Sequence, residues 1–128
     1  MDILFLLGRI VLGGFFVYTG VNHFLQLGAM TQYSQFKRVP APKVAVIVSG
    51  LMLIAGGLSI LLGYQVVIGA WLLIVFLVLT AIMMHDFWTE SDPMARGNQK
   101  AHFLKVIALA GAALIISTIP AWPISLGG

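Results

Sequence analysis

The sequence has no cysteine and only four acidic residues, and charged side chains of both signs make up 9% of its 128 residues. Without cysteine there can be no disulfide scaffold, no thiolate metal site and no thiol relay of the quinone-linked disulfide-oxidase type. The shortage of charge excludes an ordinary soluble domain, in which about a quarter of residues are charged. Nucleic acid is excluded as a partner, because the net charge of +3 comes with no basic face set beside aromatic platforms.

The rest of the composition is apolar: hydrophobic residues form 60% of the chain, and mean hydropathy is +1.04. Four runs reach the ~20 residues needed to cross a bilayer as a helix: residues 3–25, 43–62, 65–85 and 101–120. Each is apolar all round, as expected of helices bathed in lipid. The expected fold class is all-α, an integral membrane four-helix bundle forming a single membrane domain over residues 1–128. The first run has neither the positive n-region nor the small-residue cleavage site of a signal peptide, so this span is expected to be retained.

The connections set the expected topology. The first is the polar stretch GAMTQYSQFKRVPAP, whose Pro40 and Pro42 place the start of the second span just after them. Gly63 and Tyr64 form a tight turn that makes spans two and three an antiparallel hairpin. Residues 86–100 form the third connection, with a turn at Asp92 and Pro93 and flexible Gly97 and Asn98. Lys37, Arg38, Lys43, Arg96 and Lys100 all fall in the first and third connections, and the other end carries no basic residue outside the spans. The positive-inside rule then puts these connections in the cytoplasm and both termini outside, the orientation expected in a bacterial inner membrane. Phe87 and Trp88 mark the inner interface, and Tyr64 and Trp122 the outer one. Small residues for close helix packing recur in the first, second and fourth spans, as at Gly13, Gly14, Gly20, Gly50, Gly56 and Gly111.

Polar groups inside these spans are expensive facing lipid and are the candidates for function. In the first span, Arg9, Gly13, Phe16, Gly20 and His23 follow steps of three and four, so they form one stripe that should face protein or a cavity. Arg9 and His23 are 14 residues apart, or about 21 Å at ~1.5 Å rise per residue, too far to share a small ligand. Arg9 is thus an outer-leaflet polar candidate. It can snorkel to lipid phosphate, pair with Asp2 or with hydroxyls and carbonyls of the outer halves, or line an outer cavity and bind an anion. The opposite end gathers six candidates at one expected level: Asn22, His23, His85, Asp86, His102 and Lys105. Neutral imidazoles can donate to or accept from a carbonyl oxygen and change charge near neutral pH, which suits a proton-coupled ligand such as a quinone headgroup. No His-x-x-x-His or Glu-x-x-His spacing occurs, so no metal site is expected. The competing structural account leaves these histidines solvated at the interface and lets Lys105 snorkel.

The residues also resemble a known family. Leu7–Gly8–Arg9 followed by Gly13, Phe16, Gly20 and a basic residue at 23 resembles the start of DoxX-family membrane proteins. HDFW at His85 to Trp88, then Asp92–Pro93, then HFLKVIALAG from His102 resembles the end of that family. The resemblance implies a four-helix membrane bundle, with some relatives associated with thiosulfate:quinone oxidoreductase and others with membrane oxidoreductase complexes of thiol and oxidative-stress homeostasis. Its motif maps onto Arg9, Gly20, His23, His85, Phe103 and Lys105. Two departures stand out: many members have lysine where His23 stands, and many carry an acid in the second span, near Met52 here.

The leading expectation is a DoxX-like inner-membrane subunit of an oxidoreductase system, with a quinone as the candidate cofactor at the cytoplasmic-side cluster. Expected partners are membrane lipid and either a redox enzyme or further copies of the chain. A second reading, a non-catalytic membrane anchor or assembly partner for a soluble enzyme, fits the lack of cysteine, cofactor motif and soluble domain. Small-solute transport by an oligomer is a third; four spans without a broken-helix pair are few for a lone transporter.

Overall fold

A computed structural model describes residues 1–127. It contains helices and no strand among the described residues: α1 (Asp2–Leu25), α2 (Leu27–Phe36), α3 (Pro42–Leu62), α4 (Val66–Met84), a short 3-10 turn (Phe87–Thr89) and α5 (Pro93–Ser117). Helices α1, α3 and α5, and α4 together with the 3-10 turn, are long and apolar enough to cross a membrane. The chain is an all-α membrane bundle. The start of α1, the α3–α4 turn and the segment from Trp122 to Gly127 lie at one end, here the terminal end. The other, the loop end, carries α2 and the 3-10 turn.

The helices pack in the order α1, α3, α4, α5, and α2 lies against α3. The α1–α3 contact is built on glycine. A Cβ added at Gly13 would lie 2.8 Å from the Gly57 carbonyl oxygen, and one at Gly20 would lie 2.8 Å from that of Gly50. The pairs Gly13/Gly57 and Gly20/Gly50 recur seven residues apart, so the two backbones approach closely at both levels, with Val17, Ile54 and Leu61 packed against the glycines. Lipid gives helices no hydrophobic reason to associate, and such close approach supplies dispersion contacts instead. Gly56 plays the same part against Leu73 and the Gly69 backbone of α4. Phe16, Leu53, Ile60, Leu73, Leu77, Ala110 and Ala113 form the buried centre. The predicted stripe of α1 is its buried face: Arg9, Gly13, Phe16 and Gly20 are all buried.

Helix ends follow local chemistry. The α3–α4 turn uses Gly63 in the left-handed region (φ 64°), and the buried Ser59 hydroxyl donates to the carbonyls of Tyr64, at 2.5 Å, and Gln65, at 2.9 Å. At the start of α5, Asp92 Oδ2 accepts from the Ala95 backbone N–H at 2.9 Å, with Pro93 in the first turn.

Two parts of the connections differ from the sequence reading. α5 begins at Pro93, eight residues before the apolar run at Ala101, so Gly97 and Asn98 are helical rather than a flexible link. The Asp92 cap and Pro93 nucleate the helix in polar sequence, and the apolar segment then continues it. Within the polar stretch of the first connection the chain forms the ten-residue helix α2, for which the sequence reading had no element.

Candidate functional site

At the loop end, α1 stops short. The His23 Cβ lies near the backbone of Gly50, and the His23 ring meets that of Phe76 edge-on at 5.9 Å. Gly50 is eight residues inside the start of α3, and Phe76 is eight inside the end of α4. At ~1.5 Å per residue, His23 therefore sits roughly 12 Å inward of the level where those helices end. The single level expected for the six polar candidates is corrected by this depth. α1 gives way to α2 at Leu25, whereas α3 and α4 run on for about two more turns.

The volume left by the short α1 is a cavity of about 700 Å³, within the ~300–1,000 Å³ usual for small-ligand pockets. Phe15, Phe16, Thr19 and His23 of α1, Met52 and Leu53 of α3, and Phe76 and Thr80 of α4 contribute to its walls. Ala29, Met30, Tyr33 and Ser34 of α2 cover it at the loop end, where His85 also reaches it. The lining is overwhelmingly apolar. Four methionines (Met30, Met52, Met83 and Met84) give it flexible, polarizable walls, suited to an aromatic guest. Met52 is where the family resemblance leads one to look for an acid, so this cavity carries a thioether there instead.

The histidines are held by defined partners. His23 Nδ1 lies 2.8 Å from the Thr19 carbonyl oxygen one turn back. A carbonyl only accepts, so Nδ1 carries the proton and neutral His23 has its lone pair on Nε2. His85 Nδ1 lies 2.9 Å from Gln99 Oε1, and the Gln99 amide nitrogen in turn reaches Tyr33 Oη at 3.5 Å. The His85 ring stacks on that of His102, with centroids 5.2 Å apart and planes at 23°. Tyr33, Gln99, His85 and His102 thus link α2, α5 and the end of α4 across the cavity mouth.

Beside them, Lys37 Nζ contacts Asp86 Oδ1 at 2.7 Å, the ion pair found among the described residues. Thr89 Oγ1 donates to the other carboxylate oxygen at 3.0 Å. Burial lowers the Lys37 pKa, but the hydrogen bond to Asp86 and nearby negative charge outweigh it, leaving the ammonium above its ordinary range. The sequence candidates therefore divide. His23 and His85 line the cavity at different depths. Asp86 and His102 sit at the mouth. Asn22 is half-buried outside the lining, and Lys105 is exposed.

Arg9 belongs to a different structure at the terminal end. It is 3% exposed, and its guanidinium donates to four carbonyls: Nε to Ile60 at 3.0 Å, Nη2 to Leu61 at 2.8 Å, and Nη1 to Pro123 at 2.7 Å and Ile124 at 2.9 Å. Ile60 and Leu61 are in the last turn of α3, whose free carbonyls carry the negative end of the helix dipole. Trp122 covers the group, its ring centroid 5.3 Å from Cζ. Arg9 is thus neither snorkelled nor paired with Asp2; it caps α3 and holds the C-terminal segment in place. Backbone bonds from Leu126 to Leu62 and from Gly127 to Gly63 extend the same junction.

Tyr33, Lys37 and Gln99 join the site although none is among the candidates expected from the sequence. For α2 a signal was present: Met30, Tyr33, Ser34 and Lys37 stand at i, i+3, i+4 and i+7, one helical face.

Comparison with known proteins agrees with this architecture. The DoxX family model matches residues 4–86. The chain is 27% identical over 124 residues to the inner membrane protein YphA of Escherichia coli (strain K12), covering 97% of this chain and 88% of that protein. No solved structure matches the chain. The chain belongs to the DoxX family.

Proposed function

We propose that this DoxX-family protein is an inner-membrane component of an oxidoreductase system that holds a quinone-like ligand in the cavity beneath α2. The observation that carries this reading is His23: an intramembrane imidazole with one nitrogen fixed by Thr19, at the wall of an apolar cavity large enough for a substituted ring. Ionisable groups at such depth are costly to keep and mark sites of function. Membrane location is supported by the four apolar helices and by the similarity to an inner membrane protein. With the basic connections inward, α2 and the cavity mouth face the cytoplasm.

In this reading the ring packs among Phe16, Met52 and Phe76, with an oxygen at His23, and the isoprenoid tail lies along the apolar walls. His85 sits about eight to nine residues of helix away from the level of Phe76, some 13 Å, so one ring does not bridge both histidines. His85 and its partners instead form the polar mouth through which protons or a soluble redox partner would reach the ligand.

The test is purification in mild detergent, followed by mass spectrometry of the extract and direct titration with a short-chain quinone. Co-purified quinone, and binding weakened by His23→Ala, is the expected result. Unchanged binding in both His23→Ala and His85→Ala would overturn the proposal. A stoichiometric soluble protein recovered with no ligand would instead identify a membrane anchor.

A further inference from the structure

We infer that the cavity selects ligands by hydrogen-bond polarity: its deep station, His23 Nε2, takes a ring bearing an O–H donor, a hydroquinone or phenol, in preference to the oxidised ring of the same shape. The inference deepens the proposed function, on which it rests.

The Thr19 carbonyl sets the polarity of the His23 ring. Because it only accepts, the 2.8 Å contact fixes the proton of neutral His23 on Nδ1. Nε2 is then an acceptor and nothing else. It has no partner among the described residues, and it is not one of the buried, unpartnered polar atoms, so it remains reachable. Nothing beside it offers a competing proton of fixed direction. Thr19 Oγ1 already donates to the Phe15 carbonyl at 2.8 Å, and Ser49 Oγ to that of Val46 at 3.0 Å. The hydroxyls of Ser34 and Thr80 also line the cavity and can rotate to donate or accept, so they favour neither redox form.

His85 repeats the pattern at the mouth. With Nδ1 donating to Gln99 Oε1, its neutral ring also leaves a lone pair on Nε2. Beside it the Tyr33 hydroxyl, which accepts from Gln99, keeps a proton to donate, so the mouth is mixed and the preference belongs to the deep station.

A quinone brings two carbonyl acceptors to His23 and sets lone pair against lone pair. The corresponding hydroquinone turns its O–H toward Nε2 and satisfies it. An acceptor desolvated by the ligand and left unpaired weakens binding, and a tenfold loss corresponds to ~1.4 kcal/mol. The deep site should thus favour the reduced ring by about tenfold or more. Only binding is proposed; no electron need be transferred for the preference to appear.

The experiment is anaerobic equilibrium binding to the intact chain in lipid nanodiscs at neutral pH. Three ligands of one ring and one short tail are compared: the hydroquinone, the quinone, and the hydroquinone dimethyl ether, which keeps the shape and loses both donors. The expected order is hydroquinone tightest, by about tenfold over the other two. His23→Gln, whose amide can donate or accept, should bring the hydroquinone-to-quinone ratio close to one while retaining apolar affinity. A nitrogen-15 spectrum of the unliganded protein gives a readout independent of any variant: His23 in the Nδ1–H form is expected, and the Nε2–H form would overturn the inference. Equal binding of hydroquinone and quinone would also overturn it, leaving the proposed function standing. Binding of none of the three would remove both.

Discussion

Lys37 and Asp86 meet at 2.7 Å with side chains 7% and 22% exposed, and this ion pair fastens the segment after α2 to the end of α4. Replacing either partner strands the other in a partly desolvated place. Exposed pairs are worth ~0–1 kcal/mol and breaking a fully buried one costs ~3–5 kcal/mol, so Asp86→Asn should cost about 1–3 kcal/mol. Hydrogen exchange should rise first in α2, ahead of α3. A double-mutant cycle with Lys37→Met separates the pair from the surrounding contacts.

The same pair predicts a pH dependence. The Lys37 pKa is raised in the folded protein, so its stabilisation is fully present below the ordinary lysine value of ~10.4 and is lost as pH rises through the higher folded one. Thermal melts in detergent on the alkaline side should show this decline. Lys37→Met should lack that component of it.

The glycine seam gives a contrast within one helix. A Cβ at Gly20 would lie 2.8 Å from the Gly50 carbonyl oxygen and 2.7 Å from the Ile54 side chain, while one at Gly14 meets nothing within 4 Å. Gly20→Ala must push α1 off α3, at about 1–3 kcal/mol for forced overpacking. Gly14→Ala should be neutral, or stabilising by up to ~1 kcal/mol through helix propensity. Thermal stability in detergent distinguishes the two.

For Arg9, substitution by lysine keeps the charge but cannot supply donors to four carbonyls on two segments. Charge-assisted hydrogen bonds contribute ~1.5–3 kcal/mol each, and partial replacement by the ammonium should leave Arg9→Lys destabilised by roughly 2–4 kcal/mol. The segment from Trp122 to Leu126 should then become sensitive to a carboxypeptidase, which reads out release of the junction directly.

The four crossings were legible because lipid leaves a strong mark on sequence: about twenty apolar residues wherever a helix must cross. The buried face of α1 was legible too, since Arg9, Gly13, Phe16 and Gly20 keep the helical step. α5 begins before its apolar window because its first two turns, from Pro93, are polar, and Asp92–Pro93 spells a turn as readily as a helix cap. The depth of His23 was not readable, because it depends on α1 ending two turns before its neighbours, a property of how three helices are staggered. Carbonyls of the outer halves are among the partners expected for Arg9, but which carbonyls it meets carries no residue-type signature. The mouth escaped for a related reason: Tyr33 and Gln99 are ordinary polar residues until α2 and the early turns of α5 bring them together.

The Arg9 junction has a consequence for how the chain enters the membrane. Pro123 and Ile124 are separated from Arg9 by 114 and 115 positions, yet they must arrive on the same side of the bilayer. An even number of crossings between them and Arg9's own end delivers them there, and an odd number leaves them on the far side. A chain that skipped one insertion would therefore strand its first-span cation without half of its carbonyl ligands. The guanidinium in effect registers the parity of the threading, so that a mis-inserted copy is marked as unstable at the point where it first entered.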